Sequence, residues 1–186
     1  YTRSRYYHLY LNGIYWGLYM TQARAEANHG EAYLGGDDQS YDTIKSAGSS
    51  GGYNTEATDG SFATGSDWNQ LWNIARTQRS SPTLTNFMMM QGLNPDGSRN
   101  PSLPIYLDVD NLIDYQMIIG YTGNYDAPLS DFVGASNNWY TVRDRERDSF
   151  GFQFFVHDGE HSMGAGGKWN GANDRINTSN GSGSRG

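Results

Sequence analysis

Three polar positions in the C-terminal part of the chain could together do metal-assisted phosphate chemistry. Asp126 follows a helix-like run and sits in the polar loop "GYTGNYDAP". Asn137 and Asn138 close that loop in "SNNWYTVR", and Asp158 ends the apolar, strand-like run that leads into "HDGEHSM". Phosphoryl transfer is mainly positioning and charge neutralisation, and its sites can supply a base, then a metal-binding Asn, then a metal-binding Asp. Asp126, Asn137 or Asn138, and Asp158 come in that order, although no HRD or DFG triplet is present. Such chemistry also needs a cation on the phosphates. The only lysines are Lys45 and Lys168. Lys45 ends a strand-like run and is the better placed, its other reading being a plain surface strand residue. If neither serves, an arginine or an upstream residue must.

Other motifs carry less. His157-Asp158-Gly159-Glu160-His161 matches the H-x-x-E-H string of inverted zinc peptidases, which needs both histidines on one helical face. A string that follows a strand and contains Gly159 favours a non-helical turn exposing Asp158 instead. Asp108, Asp110 and Asp114 lack the glycine and terminal Glu of a calcium loop, and capping of a helix explains them. Gly164–Gly167 with Lys168 lacks the preceding Gly and following Ser/Thr of a phosphate loop. Asn177 and Asn180 head glycosylation sequons. The aromatics could form a sugar-binding face, but most fall at apolar positions of the first hairpin and of the 66–76 helix, where core packing accounts for them.

The elements that must position these groups are legible from periodicity and turn residues. Asn12-Gly13 between Tyr6–Leu11 and Ile14–Thr21 predicts a type I′ hairpin. A short helix is predicted over 24–34, a strand over 41–46, and a Ser/Gly-rich loop or lobe boundary over 47–65. Ser66 caps a helix to about residue 76 with Trp68, Leu71, Trp72 and Ala75 on one face. Ser81-Pro82 starts a second helical piece through Met90, and Asp108 caps a third to about Gly120 that buries Leu112, Ile113 and Met117. A hairpin follows, Trp139–Arg143 with Phe152–His157. The alternating charges of Arg143–Asp148 read as its solvated tip. The order is α+β, not alternating βαβ.

With 186 residues, 36% of them hydrophobic, the chain can build a real core. A net charge of −7 without any Lys/Arg run argues against a nucleic-acid partner. No stretch reaches the roughly 20 apolar residues of a membrane span, and zero Cys excludes disulfides and thiolate metal sites. Strand-like sequence begins almost at once, so the expectation is a fragment or processed product whose true N-terminus lies upstream.

The stretches "LYLNGIYWGLYMTQ", "YDTIKS", "YLDVDNLIDYQMIIGYTGNYDAP", "NNWYTVR" and "FQFFVHDGEHSM", and weakly Asn173–Arg175, resemble the spore-coat protein H (CotH) kinase-like family. The resemblance implies a divergent, compact protein-kinase-like fold, with 1–46 the end of a β-rich lobe, 66–163 a helical lobe and 164–186 a tail. It implies ATP with Mg²⁺ or Mn²⁺ in the cleft, and phosphate transfer to Ser or Thr of a secreted or coat protein, outside the cell or at its surface. By analogy Asp126 is the catalytic-loop Asp, Asn137 or Asn138 the metal-binding Asn and Asp158 a metal ligand supported by Glu160. The histidines are expected to be silent under this reading. Two departures stand against it. Gln22 replaces the acid usual after "LYMT", and an insertion around Leu129–Ser136 lengthens the loop. Both fit the alternatives, a non-catalytic binding or adhesion module on the same fold, or a structural surface protein. Only Tyr1–Arg5 precede the hairpin, leaving no phosphate-covering glycine loop, so this segment alone is expected to bind nucleotide poorly.

Overall fold

The computed structural model describes residues 2–47, 55–130, 136–147 and 150–165. Lys168, the two sequons and Asn173–Arg175 lie outside them. The elements run β1 (Ser4–Leu11), β2 (Ile14–Gln22), α1 (Ala27–Leu34), β3 (Tyr41–Ser46), β4 (Thr55–Asp59), α2 (Asp67–Ser80), α3 (Leu84–Met90), α4 (Val109–Thr122), β5 (Trp139–Asp144) and β6 (Gln153–Val156). The fold is α+β. β1 and β2 form a two-stranded ribbon, and the other strands a sheet of order β4-β3-β5-β6. All pairs are antiparallel. The sheet takes β3 from before residue 47 and β5 and β6 from beyond residue 66.

The turn chemistry works as read. Asn12 and Gly13 both take positive φ, 51° and 80°, which a type I′ turn demands and which Asn and Gly tolerate best. Ser66 and Asp108 each accept a hydrogen bond from the amide three residues on, capping α2 and α4, while α3 starts later than Ser81-Pro82, with Thr83 as its cap. β4 was not expected within the 47–65 stretch. Its Thr-Glu-Ala-Thr-Asp sequence has little apolar content, and it is held by pairing along β3, including Lys45 opposite Glu56.

Alternation along β5 divides the core. One face of the sheet carries Ile44, Trp139 and Phe152 against α2 and α4, with Leu71, Met90, Leu107, Tyr115 and Ile119. Trp68 stacks on Trp139 at 5.7 Å and meets Phe152 edge-on at 5.2 Å, geometry that adds to area burial. The other face carries Tyr41 and Val142 against Ala27 of α1.

Three packing expectations are corrected. In α4 the core-facing stripe is the buried Tyr115 and Ile119 with the partly buried Leu112, while Ile113 and Met117 are exposed. The helix meets the sheet along one side, and positions 113 and 117 fall on another flank. Trp72 is exposed too, one residue's rotation from the buried Leu71 and so at the edge of the stripe that packs on the sheet. The ribbon aromatics are not core: Tyr6, Tyr10, Tyr15, Trp16 and Tyr19 are all exposed, because among the described residues no third strand or helix lies along the ribbon.

The charged run is corrected too. Arg143 and Asp144 are buried. Arg143 donates to Asp67 and to the Ile105 carbonyl, Arg145 to Asp42, and Arg147 to Asp144. The alternating signs are ion-pair partners that join β5 to α2, to β3 and to the end of α1.

Gly151 marks a close backbone approach. A Cβ there would lie 2.3 Å from the Leu107 amide nitrogen and 2.5 Å from the Tyr106 carbonyl carbon. Gly120, inside α4, faces open space. Gly151→Ala is therefore expected to cost roughly 1–3 kcal/mol or more through overpacking, whereas Gly120→Ala should stabilise by about 0.5–1 kcal/mol through helix propensity. Urea unfolding of both variants checks this. Equal midpoints would refute it.

Candidate active site

Two segments arrive at one place because α4 and β6 are locked side by side. Asn111, near the start of α4, donates through its side-chain nitrogen to the Phe154 carbonyl at 3.3 Å, and its side-chain oxygen accepts from the Phe154 amide at 2.6 Å. Gln153 donates to Asp108 at 2.7 Å. The two elements end together: the Met163 amide donates to the Thr122 carbonyl at 2.7 Å. α4 leads through Gly123 into Asn124-Tyr125-Asp126, and β6 leads into the 3₁₀ turn Gly159–His161.

Asp126 is buried and held on both oxygens. Ser130 donates its hydroxyl to Oδ1, and Asn138 donates to Oδ2 at 2.8 Å. Its amide donates to the side chain of the fully buried Asn124 at 2.9 Å. Asn138 reaches in from a left-handed backbone, φ 52°, a conformation that Asn adopts more readily than most residues. Asn137 instead anchors the loop, its amide donating to the Pro128 carbonyl at 2.9 Å.

Across from Asp126 lie Glu160 and His161. One ligand atom from each of the three falls within 4.8 Å of the others. His161 Nε2 stands 3.5 Å from Glu160 Oε1. Burial pushes the Glu160 carboxyl above the usual range, helped by a hydrogen bond and charge from Asp158 and opposed by His161. Asp158 is exposed, in a left-handed conformation at the head of the turn, so the exposed-turn expectation is met. The helix that a zinc-peptidase string needs is not formed. The two histidines separate: His157 packs edge-on to Tyr140 at 4.9 Å, and His161 bonds Tyr125.

Lys45 sits on the Tyr140 side of the sheet. It pairs with Glu56 at 2.7 Å and lies 5.5 Å from the centre of the Tyr140 ring. The bond to Glu56 raises its pKa most, against the effect of burial. His157 links this group to the turn. Burial lowers its pKa, Asp158 opposes that, and Arg24 and Lys45 lower it further.

The structure thus brings Asp126, Asn138, Asp158 and Glu160 into one neighbourhood, with Lys45 reached through Tyr140 and His157. Sequence reasoning missed Ser130, Glu56 and the placing of His161. Ser130 carries no signal beyond a spacing of four from Asp126, while His161 stood in a motif read for another metal. Two carboxylates and an imidazole converging beside Asn138 are a donor set that fits a divalent cation. The cluster is small enough for one ion to be shared.

An α+β domain with carboxylates gathered where a helix and a strand end together is the class that this fold and site define. A family model described as CotH kinase protein matches residues 1–183, and the chain belongs to the CotH kinase family. No curated protein and no solved structure matches it. Among the described residues no helix is long and apolar enough to cross a membrane.

Proposed function

We propose that the chain carries the active site of a divergent kinase-like enzyme that moves the γ-phosphoryl group of ATP to a Ser or Thr hydroxyl of a secreted or coat protein, outside the cell or at its surface. The observation that carries this reading is the convergence of Asp126, Asn138, Glu160 and the Asp158 turn at the shared end of α4 and β6, in a chain of the CotH kinase family. A carboxylate offers about four lone-pair sites, so Asp126 keeps acceptor capacity beyond its bonds to Ser130 and Asn138. In this reading Asp126 takes the proton of the acceptor hydroxyl as its oxygen bonds to the γ-phosphorus, and ADP leaves with the electrons of the broken P–O bond. Asp158, Glu160 and Asn137 or Asn138 would hold Mg²⁺ or Mn²⁺, with an Asp126 oxygen in reach of the same ion, which when bound neutralises phosphate charge. Lys45 serves the phosphates as a point charge once exchanged from Glu56.

The exposed aromatic ribbon favours a second reading, a non-catalytic binding or adhesion module, because Tyr6, Tyr10 and Trp16 offer contact area at low entropic cost. Calorimetry of ATP binding with and without Mn²⁺, on the full-length protein and its Asp158→Ala variant, separates the two. The enzymatic reading expects metal-dependent binding that the variant loses, with phosphorylation of a Ser/Thr-rich acceptor lost alongside. Equal phosphorylation by both proteins would end it.

A further inference from the structure

We propose that His161 is a nitrogen ligand of the cation at this site and that Tyr125 is its positioning residue, so that the site selects Mn²⁺ over Mg²⁺. This rests on the metal-dependent reading above and goes further by choosing the ion.

The surroundings of Tyr125 suit one tautomer of His161. The Tyr125 hydroxyl lies 3.2 Å from the Ala165 carbonyl oxygen, which can only accept and so can take the hydroxyl proton. The same hydroxyl lies 3.0 Å from His161 Nδ1. In this proposal the hydroxyl donates to the carbonyl and accepts from Nδ1–H. A neutral imidazole protonated on Nδ1 has its lone pair on Nε2. Nε2 is the nitrogen that stands 3.5 Å from Glu160 Oε1, in the group that also includes Asp126. The Tyr125 amide also donates to the His161 carbonyl at 3.4 Å, and the two rings lie 5.0 Å apart. The imidazole is therefore held by backbone, hydroxyl and ring contacts together. A ligating histidine whose other nitrogen is bonded to a fixed partner is the usual device for orienting such a ligand.

The chemical consequence concerns selectivity. Mg²⁺ takes hard oxygen ligands and keeps its waters. Imidazole nitrogen suits first-row transition ions. Mn²⁺ is the member of that row that shares the carboxylate and water preference of Mg²⁺, so between these two ions a set of two carboxylates and one imidazole suits Mn²⁺ better. An all-oxygen set would lack that nitrogen contribution.

Pulsed electron paramagnetic resonance of the full-length protein with one equivalent of Mn²⁺ tests this without relying on activity. Imidazole nitrogen coupling is expected in the unaltered protein and in His157→Gln, and its loss in His161→Gln. Competition titrations should show Mn²⁺ bound more tightly than Mg²⁺, with Tyr125→Phe weakening Mn²⁺ by roughly 10–100-fold and leaving Mg²⁺ nearly unchanged. The coupling is read on the unaltered protein, so it does not depend on how any variant folds. Mn²⁺ that binds, is lost in Glu160→Gln and shows no nitrogen coupling would overturn the role of His161 while sparing the metal site. Coupling that persists in His161→Gln would overturn it as well. No Mn²⁺ binding at all would sink both this inference and the metal-dependent function beneath it.

Discussion

Asp126→Asn is expected to leave the fold intact and to lower phosphoryl transfer by roughly 10²–10⁴-fold, the range for a general acid–base group. The substitution is nearly isosteric, and its hydrogen bonds can be remade. Asn138 donates to Oδ2 and Ser130 to Oδ1. An amide at position 126 would keep its oxygen toward Asn138 and turn its NH₂ toward Ser130, whose hydroxyl can rotate to accept. What is lost is the negative charge, and with it the capacity to take a proton, while the amide oxygen can still serve as a weaker cation ligand. The backbone bond from residue 126 to Asn124 at 2.9 Å does not depend on the side chain. Thermal unfolding should therefore shift little while turnover falls. A variant that unfolds readily would mean that the Asp126 carboxylate is chiefly structural. A variant of unchanged activity would remove Asp126 from the mechanism.

How much of this was legible in the sequence depends on whether a residue's partner is near in the chain. The ribbon turn and the caps of α2 and α4 were readable because Asn12-Gly13, Ser66 and Asp108 act on groups only a few residues away, whereas the Thr83 cap of α3 and the Gly123 end of α4 were not read. The order Asp126, Asn138, Asp158 was readable because each follows the end of, or precedes, a periodic element. Arg143 and Arg145 were misread because their acids are 76 and 103 positions away, Asp67 brought in by α2 and Asp42 by the register of β3 against β5, and Arg147 because, beyond the nearby Asp144, it bonds the distant Leu34, Gly35 and Tyr41. Ile113 and Met117 were misread because an apolar helix shows no narrow stripe. The sequence says that such a helix has buried positions but not on how many sides it is covered. His161 was seen, but its role depends on Tyr125, which lies 36 positions away.

Removing the charge of Arg147 should destabilise the fold by about 3–5 kcal/mol, because it leaves a buried carboxylate without its partner. Asp144 is fully buried at the end of β5. It accepts from Arg147 at 2.5 Å, from the Ser40 hydroxyl at 2.7 Å and from the Glu146 amide at 2.9 Å. Arg147 also donates to the Leu34 and Gly35 carbonyls and to the Tyr41 hydroxyl, so it ties the end of α1 to the central sheet. Burial pushes the Asp144 carboxyl up, but the bonds from Arg147, Ser40 and Glu146, with the Arg147 charge, outweigh it and hold the carboxyl below the usual range. A carboxyl depressed in the folded state contributes stability that is present above its unfolded value of about 4 and is lost as pH falls through the folded value. Arg147→Met keeps the stem and removes the charge. Burial then acts on Asp144 against less opposition, so the penalty should be largest at neutral pH and shrink once the carboxylate can protonate. Urea unfolding of both proteins from pH 3 to pH 7 should give curves that converge at the acid end. Parallel curves would show that the ion pair contributes nothing beyond packing. β5 begins beside Asn138 and ends at Asp144, which places this network at the opposite end of the strand from the cation site. Under native conditions Arg147→Met should therefore bind Mn²⁺ like the unaltered protein, since substitutions that share no partners act independently. A large change in Mn²⁺ affinity in that variant would show that β5 couples the two ends.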